Sequence, residues 1–431
     1  MAKPKLALIP AAQGTSLYSV LPSSGVGDFD FTRSGSATRI NAQGLIETVG
    51  SGVSRLNYPM IDGVVKGCPS HILEPQRTQL VQYSEDFSDS SWIKSGPTLT
   101  YNQGISPDGG NNATKIIPST SNTSQDIFAT VTALGSTVYT RSFFAKADGY
   151  NWIYIQQYDG LTNLGAWFDL STGLIGNTQS NVTSDIKYYG NDWYKCSVTF
   201  TTQSSGSNER AQIRVVGSNG ASTLQGNGID GVLIWGAQVE QGSYPTSYIP
   251  NYGTAAGVTR SAETATGSGD AATFNDSEGV LMIESATLSE SDITARYFQL
   301  SDGSVTANGL TFRYYTTTNY FQALYYTNGA YQAVLSIFLP DSSEFNKIAF
   351  KYKTNDFSLF VNGIKVGSDA NGSTGYTLSN LSFNNNGFDS FEGSTKQLQY
   401  FDTALSDTDL EKLTSWVSFQ EMAEGQLYTI E

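Results

Sequence analysis

Short apolar–polar alternations recur along this chain, while long stretches with a helical 3.6-residue period are rare. Trp152-Ile-Tyr-Ile-Gln-Gln-Tyr158, Trp193-Tyr-Lys-Cys-Ser-Val-Thr-Phe200, Ala211-Gln-Ile-Arg-Val-Val216 and Gly231-Val-Leu-Ile-Trp-Gly-Ala-Gln-Val-Glu240 read as strands. A period of two sends successive side chains to opposite faces of a pleated sheet. Further strands are expected at Leu6-Ala-Leu-Ile9, Asp28-Phe-Asp-Phe-Thr32, Gly279-Val-Leu-Met-Ile-Glu284, Leu310-Thr-Phe-Arg-Tyr-Tyr315 and Phe321-Gln-Ala-Leu-Tyr-Tyr326. Asn362-Gly363, set between Phe360-Val361 and Ile364-Lys-Val366, is a strong hairpin signal, because both turn positions need a positive φ. Ser406 stands three residues before Asp409, the spacing of a helix-capping pair, and predicts one short helix near the C-terminus. The pattern as a whole predicts an all-β chain of tandem β-sandwich or jelly-roll domains, with an extended N-terminal segment.

Changes in the pattern divide the chain. Residues 1–75 are rich in Gly, Ser and Pro and hold few large apolar side chains, so they read as an attachment or assembly segment that packs on another module or on neighbouring chains. Residues 76–252 read as one β-sandwich and residues 266–431 as a second. Between them, residues 253–265 are small and polar and read as a linker, free or structured.

Composition narrows the function. Among 431 residues only 15 % are charged, with 25 Tyr and 22 Phe, a mix that fits pleated surfaces and turns. The net charge of −15 argues against nucleic acid as a partner, since phosphate neutralisation needs basic surface. No apolar run approaches the roughly 20 residues that cross a bilayer, and Pro10 breaks the apolar run near Met1, so neither membrane insertion nor a cleaved signal is expected. Cys68 and Cys196 form no Cys-x-x-Cys pair; Cys196 is expected as a small core residue.

One stretch carries a family signal: Ile72-Leu-Glu-Pro-Gln-Arg-Thr-Gln-Leu-Val-Gln-Tyr-Ser-Glu-Asp-Phe-Ser-Asp-Ser-Ser-Trp92. It resembles the opening of a β-sandwich module in spike and fibre proteins (head spike or tail fibre) of tailed phages. The segment from Gly27 to Glu47, with Asp28-Phe-Asp-Phe-Thr-Arg33, and the pair Pro245-Thr-Ser-Tyr-Ile-Pro250 and Val258-Thr-Arg260 are similar to other parts of the same proteins. The resemblance implies a virion location after assembly in the host cytoplasm. It also implies attachment to other virion proteins through the N-terminal segment, and a homo-oligomer, commonly a trimer. Residues 76–252 also resemble carbohydrate-binding jelly rolls, and residues 345–415 a concanavalin-A-like or laminin-G-like sandwich. These likenesses imply adhesion to host-surface glycans. Three other roles stay open: a decoration protein that binds no glycan, a component of a contractile injection system, and a glycan depolymerase.

Candidate chemistry is sparse. His71 is the single histidine, and no Gly-x-Ser-x-Gly elbow accompanies it, so it reads as a hydrogen-bonded loop residue. Glycan cleavage needs two carboxylates about 5–5.5 Å apart, or wider with water between. Glu284, Glu290, Asp407, Asp409 and Glu411 show no such alternating run on one strand and read as solvated, so no enzyme activity is expected. By the jelly-roll resemblance, Glu85, Asp86 and Asp230 are candidates for a structural calcium site, with oxygen ligands suited to a hard cation; no other cofactor is expected. Sugar recognition combines aromatic faces with amides and carboxylates. Candidates are Trp152, Tyr154, Gln156, Tyr158 and Asp159, and, from a second tyrosine cluster, Tyr325 and Tyr326.

Overall fold

The structure, a computed structural model, describes residues 3–13, 16–21, 25–158, 163–205, 207–289, 295–303, 308–315, 319–385, 387 and 389–415. Strands dominate it, and its one described helix is Asp407–Ser415. Two sandwiches carry the bulk of the chain.

The first sandwich packs two six-stranded antiparallel sheets face to face. One sheet runs Trp92–Ser95, Asp126–Ala133, Ser207–Val216, Trp152–Tyr158, Asn163–Asp169, Leu174–Thr178 in spatial order. The other runs Thr98–Thr100, Thr114–Ile117, Gly231–Gln241, Val138–Asp148, Tyr194–Thr201, Val182–Tyr188. Alternation places Ile153, Ile155, Phe143, Cys196, Ile213 and Ile234 between the sheets, all fully buried.

In the second sandwich a five-stranded sheet, in the order Ala330–Phe338, Tyr320–Thr327, Gly309–Tyr315, Arg296–Ser301, Asn380–Ser382, faces an eleven-stranded one. The larger sheet is centred on Glu278–Thr287, Asn346–Lys353 and Gly393–Phe401. The helix closes its outer side, where Leu410 and Leu413 pack on Met282, Ala349, Phe360 and Phe401. Ser406 caps that helix as its spacing predicted: the Asp409 amide donates to Ser406 Oγ at 3.2 Å, and Ser406 Oγ pairs with Asp409 Oδ2 at 2.8 Å. At the hairpin, Asn362 and Gly363 take φ of 48° and 85°, and Val361 pairs with Ile364 across them.

The N-terminal segment is built into this second sandwich. Leu6–Gln13 pairs with the end of Gly393–Phe401 (Leu6 opposite Tyr400, Leu8 opposite Leu398), and Ser70–Leu73 pairs with its start (Leu73 opposite Gly393). Together they complete one edge of Gly393–Phe401 that would otherwise present unpaired backbone groups. Leu6, Leu8, Phe29, Phe31 and Leu73 then enter the second sandwich's core. The same segment also reaches the first sandwich. Its hairpin Ala37–Ile40/Ile46–Val49 inserts Ile46 among Phe144, Trp193, Trp235 and Tyr248. The expected poverty of core residues is thus met by packing on both modules of the same chain. The 253–265 stretch is ordered too: Val258–Arg260 pairs with Arg77–Gln79, and Thr264–Thr266 pairs with Phe29–Thr32.

Candidate functional site

The motif residues meet in a buried ionic clasp at the junction of the two sandwiches. Glu74, just past strand Ser70–Leu73, accepts from Arg55 Nη2 at 2.7 Å and Arg260 Nη1 at 2.8 Å. It also accepts from the Ser247 amide at 2.8 Å and Ser247 Oγ at 2.6 Å. Glu263 accepts from Arg33 Nη1 at 2.7 Å, from Arg55 Nε at 2.8 Å and from the Glu74 amide at 3.0 Å. Burial alone would raise the Glu74 carboxyl; Arg260, Arg55 and the Ser247 donors outweigh it and hold the group well below the usual carboxylate range. Burial would also lower the Arg55 guanidinium, but Glu263 and Glu74 outweigh it and push the group up. So the Leu73-Glu74-Pro75 and Val258-Thr259-Arg260 stretches are one structural device, which sequence separation concealed.

His71 sits beside this clasp, and the structure corrects its reading. It lies on strand Ser70–Leu73, fully buried, with Phe31 and Phe383 rings edge-on at 5.9 Å each. Among the described residues neither ring nitrogen has a hydrogen-bond partner. Burial, helped by Arg55 and opposed by Glu263, lowers its pKa to about 4.

Register separates the sugar candidates. Trp152, Tyr154, Gln156 and Tyr158 do share the outer face of the first sandwich, beside Trp167 and Gln212. Tyr154 is closed off, however. Its ring stacks on Trp167 at 4.0 Å, and Trp167 Nε1 donates to the Ala221 carbonyl at 2.8 Å. Gln156 is buried as well, leaving Trp152 and Tyr158 half-exposed. Asp159 and Glu290 lie outside the described residues. Tyr325 points inward and stacks on Tyr352, a core residue where a surface contact was expected.

Tyr326 faces the other way, on the outer side of the five-stranded sheet, but it is buried there too, against the expectation of a surface contact. Cross-strand pairing aligns it there with Tyr331, Tyr320, Phe338, Tyr315, Gln322 and Arg313. Tyr331 is 63 % exposed, Phe338 55 % and Tyr320 47 %. The Tyr326 hydroxyl receives a hydrogen bond from Gln299 Nε2 at 2.9 Å, and Arg313 lies 4.4 Å from the Tyr315 ring. By the rise of a strand, the Tyr320–Phe338 and Tyr326–Tyr331 pairs lie roughly 20 Å apart. Three exposed rings thus share one sheet face with Gln322 and Arg313. Strand alternation shows that Tyr325 and Tyr326 point to opposite faces, and the sheet packed against them decides which face is open.

The three calcium candidates do not converge; no group of three acidic, His or Cys residues suited to a metal occurs among the described residues. Glu85 instead accepts from the Tyr248 and Tyr252 hydroxyls at 2.9 and 3.0 Å. Asp86 accepts from the Ser88 amide at 3.0 Å, and Asp230 from Asn227 Nδ2 at 2.6 Å. In the second sandwich the acids are engaged in pairs: Glu284 with Gln397 at 2.6 Å, and Asp407 with Lys365 at 2.9 Å and Lys351 at 3.2 Å.

Residues 285–411 match a family model described as the concanavalin A-like lectin/glucanases superfamily. The second sandwich is similar to that superfamily. The match bears out the likeness read from residues 345–415 and extends it over the open tyrosine face. Comparison with curated proteins gives no match. Solved structures superpose loosely. The carbohydrate-binding module CBM40 of Ruminococcus gnavus IT-sialidase, bound to α2,3-sialyllactose, has a TM-score of 0.29 and 17 % identity, over 32 % of this chain and 84 % of that one. The CBM22 tandem of Paenibacillus barcinonensis Xyn10C gives 0.25 and 10 %, over 77 % and 99 %. Mouse laminin α1 domains LG4-5 give 0.23 and 8 %, over 67 % and 90 %. Superpositions this loose carry no argument about what the chain binds.

Proposed function

We propose that this chain is a non-catalytic adhesive component of a phage or phage-like particle, holding host-surface glycans on the open tyrosine face of its second sandwich. The observation that carries the glycan reading is the exposure of Tyr331, Phe338 and Tyr320 beside Gln322 and Arg313 on one sheet face. Aromatic rings accept the apolar side of a sugar, and the amide and guanidinium groups bond its hydroxyls. The particle reading rests on the likeness of residues 27–47, 72–92 and 245–260 to spike and fibre proteins. In this reading several copies, as a trimer, multiply weak contacts into avidity. The test is a glycan array with the purified chain and a Tyr320→Ala/Tyr331→Ala variant. The account expects binding by the first and at least tenfold weaker binding by the second, with equal melting temperatures. No binding by the unaltered chain favours a decoration role instead. Gold-labelled antibody on particles decides between head and tail.

A further inference from the structure

Where the two sandwiches meet, the structure holds a cleft of about 790 Å³, separate from the tyrosine face and unclaimed by the reading above. That volume lies within the range of small-ligand sites. Its floor is the outer face of strands Val182–Tyr188 and Tyr194–Thr201. One wall is the hairpin strand Ala37–Ile40, a second is the Ser243–Tyr248 segment, and the third comes from the second sandwich at 286–289 and 343–345. The clasp ties two of these walls together, since Glu74 grips Ser247 and Arg55 Nη1 donates to the Thr38 carbonyl at 2.9 Å. The site is therefore formed before any ligand arrives.

The floor is laid out in three cross-strand rows: Lys187 opposite Lys195, Asp185 opposite Ser197, and Thr183 opposite Thr199. Same-face rows along a strand are roughly 6.6 Å apart. Like charges directly opposite one another are unfavourable, so the lysine row needs an explanation. Lys195 is 6 % exposed, and its Nζ donates to the Thr246 carbonyl at 2.6 Å. Of the acids that act on it, Glu74 is committed to Arg55 and Arg260 and Glu240 to Gln238 and Thr246, while Asp185 stands one row away. Lys187 is exposed, and its described interaction is with the Tyr189 ring at 6.0 Å. Among the described residues, Asp185 and Glu344 are the exposed carboxylates that line the cleft. Asp185 lies one row away from the lysines, where it can accept from a hydroxyl. In a chain of net charge −15, paired ammonium groups at the end of a hydroxyl-lined groove are a local exception.

We propose that this cleft is a second carbohydrate site, taking a carboxylate-bearing sugar chain with its acid at the Lys187–Lys195 row and its hydroxyls along Asp185–Ser197 and Thr183–Thr199. Both proposals concern sugars, but the sites are separate and so are their tests. Titration calorimetry of the full chain compares two uronate probes, tetragalacturonate and hyaluronan tetrasaccharide, with neutral galactotetraose. A uronate is expected to bind at least tenfold more tightly than galactotetraose, and to weaken as salt rises. Lys187→Glu, a surface change, is expected to weaken uronate binding at least tenfold without moving the melting temperature. Lys187→Arg keeps the binding, and Tyr320→Ala/Tyr331→Ala leaves it intact. Failure of both uronates to bind, equal affinity for galactotetraose, or indifference to Lys187→Glu overturns the proposal. Loss of uronate binding in the tyrosine variant alone also overturns it, while leaving the sheet-face reading in place.

Discussion

His71 and the clasp around it make this protein sensitive to acid. The unfolded histidine takes up a proton near pH 6.5, but the folded one resists until about 4, because full burial penalises the imidazolium more than nearby Glu263 favours it. Between those values the unfolded state binds more protons, so stability falls as pH falls, by on the order of 3 kcal/mol across the window. Glu74 and Glu263, held low by their arginines, add a further loss below the ordinary carboxylate range. Melting temperature is therefore expected to drop steadily from pH 6.5 to 4. In His71→Leu most of that slope disappears, while the loss at lower pH stays. The clasp makes a second prediction. Arg260→Ala leaves Glu74 with one guanidinium fewer in a buried site, and should cost about 3–5 kcal/mol in denaturant unfolding. A change under 1 kcal/mol would mean that the clasp does not hold the junction.

At the scale of elements, the N-terminal strand completes the edge of Gly393–Phe401 and supplies Leu6 and Leu8 to its core. Leu8→Ala is expected to cost about 2–5 kcal/mol and to promote aggregation through the loosened edge. Light scattering on heating checks this; an unchanged profile would contradict the pairing. The strands themselves were legible wherever alternation or turn chemistry was local. Residues 211–216 and 231–240, the Asn362-Gly363 turn and the Ser406 cap all follow from neighbours in sequence. Long-range partners were not legible. Nothing in Leu6-Ala-Leu-Ile9 announces Tyr400 as its neighbour, and nothing in Glu74 announces Arg260, because sheet pairing and ion pairing are set by the tertiary fold. The same limit explains the candidate site. A run such as Tyr325-Tyr326 shows that its two rings part company, but which ring faces the core depends on the sheet packed against it. The three carboxylates chosen for calcium were matched by likeness, and each is engaged by a different set of hydroxyl, amide or backbone donors.

The whole molecule joins two sandwiches through one N-terminal segment that packs on both. Deleting residues 1–65 would therefore unmake part of the second sandwich as well as any attachment point, and loss of particle incorporation would be ambiguous. The hairpin Met60–Ile61/Val64–Val65 offers a cleaner probe, since Ile61 is 49 % and Val64 52 % exposed. If this segment docks the chain on a particle, Ile61→Asp/Val64→Asp should fold normally and fail to incorporate; normal incorporation would place the attachment elsewhere. Adhesion without turnover can be read in a single assay. Purified chain is incubated with a host polysaccharide that it retains, while bound protein and newly formed reducing ends are followed together. The account predicts saturable binding, lost in the Tyr320→Ala/Tyr331→Ala variant, with reducing ends constant over time. A steady rise in reducing ends that requires the protein would contradict it.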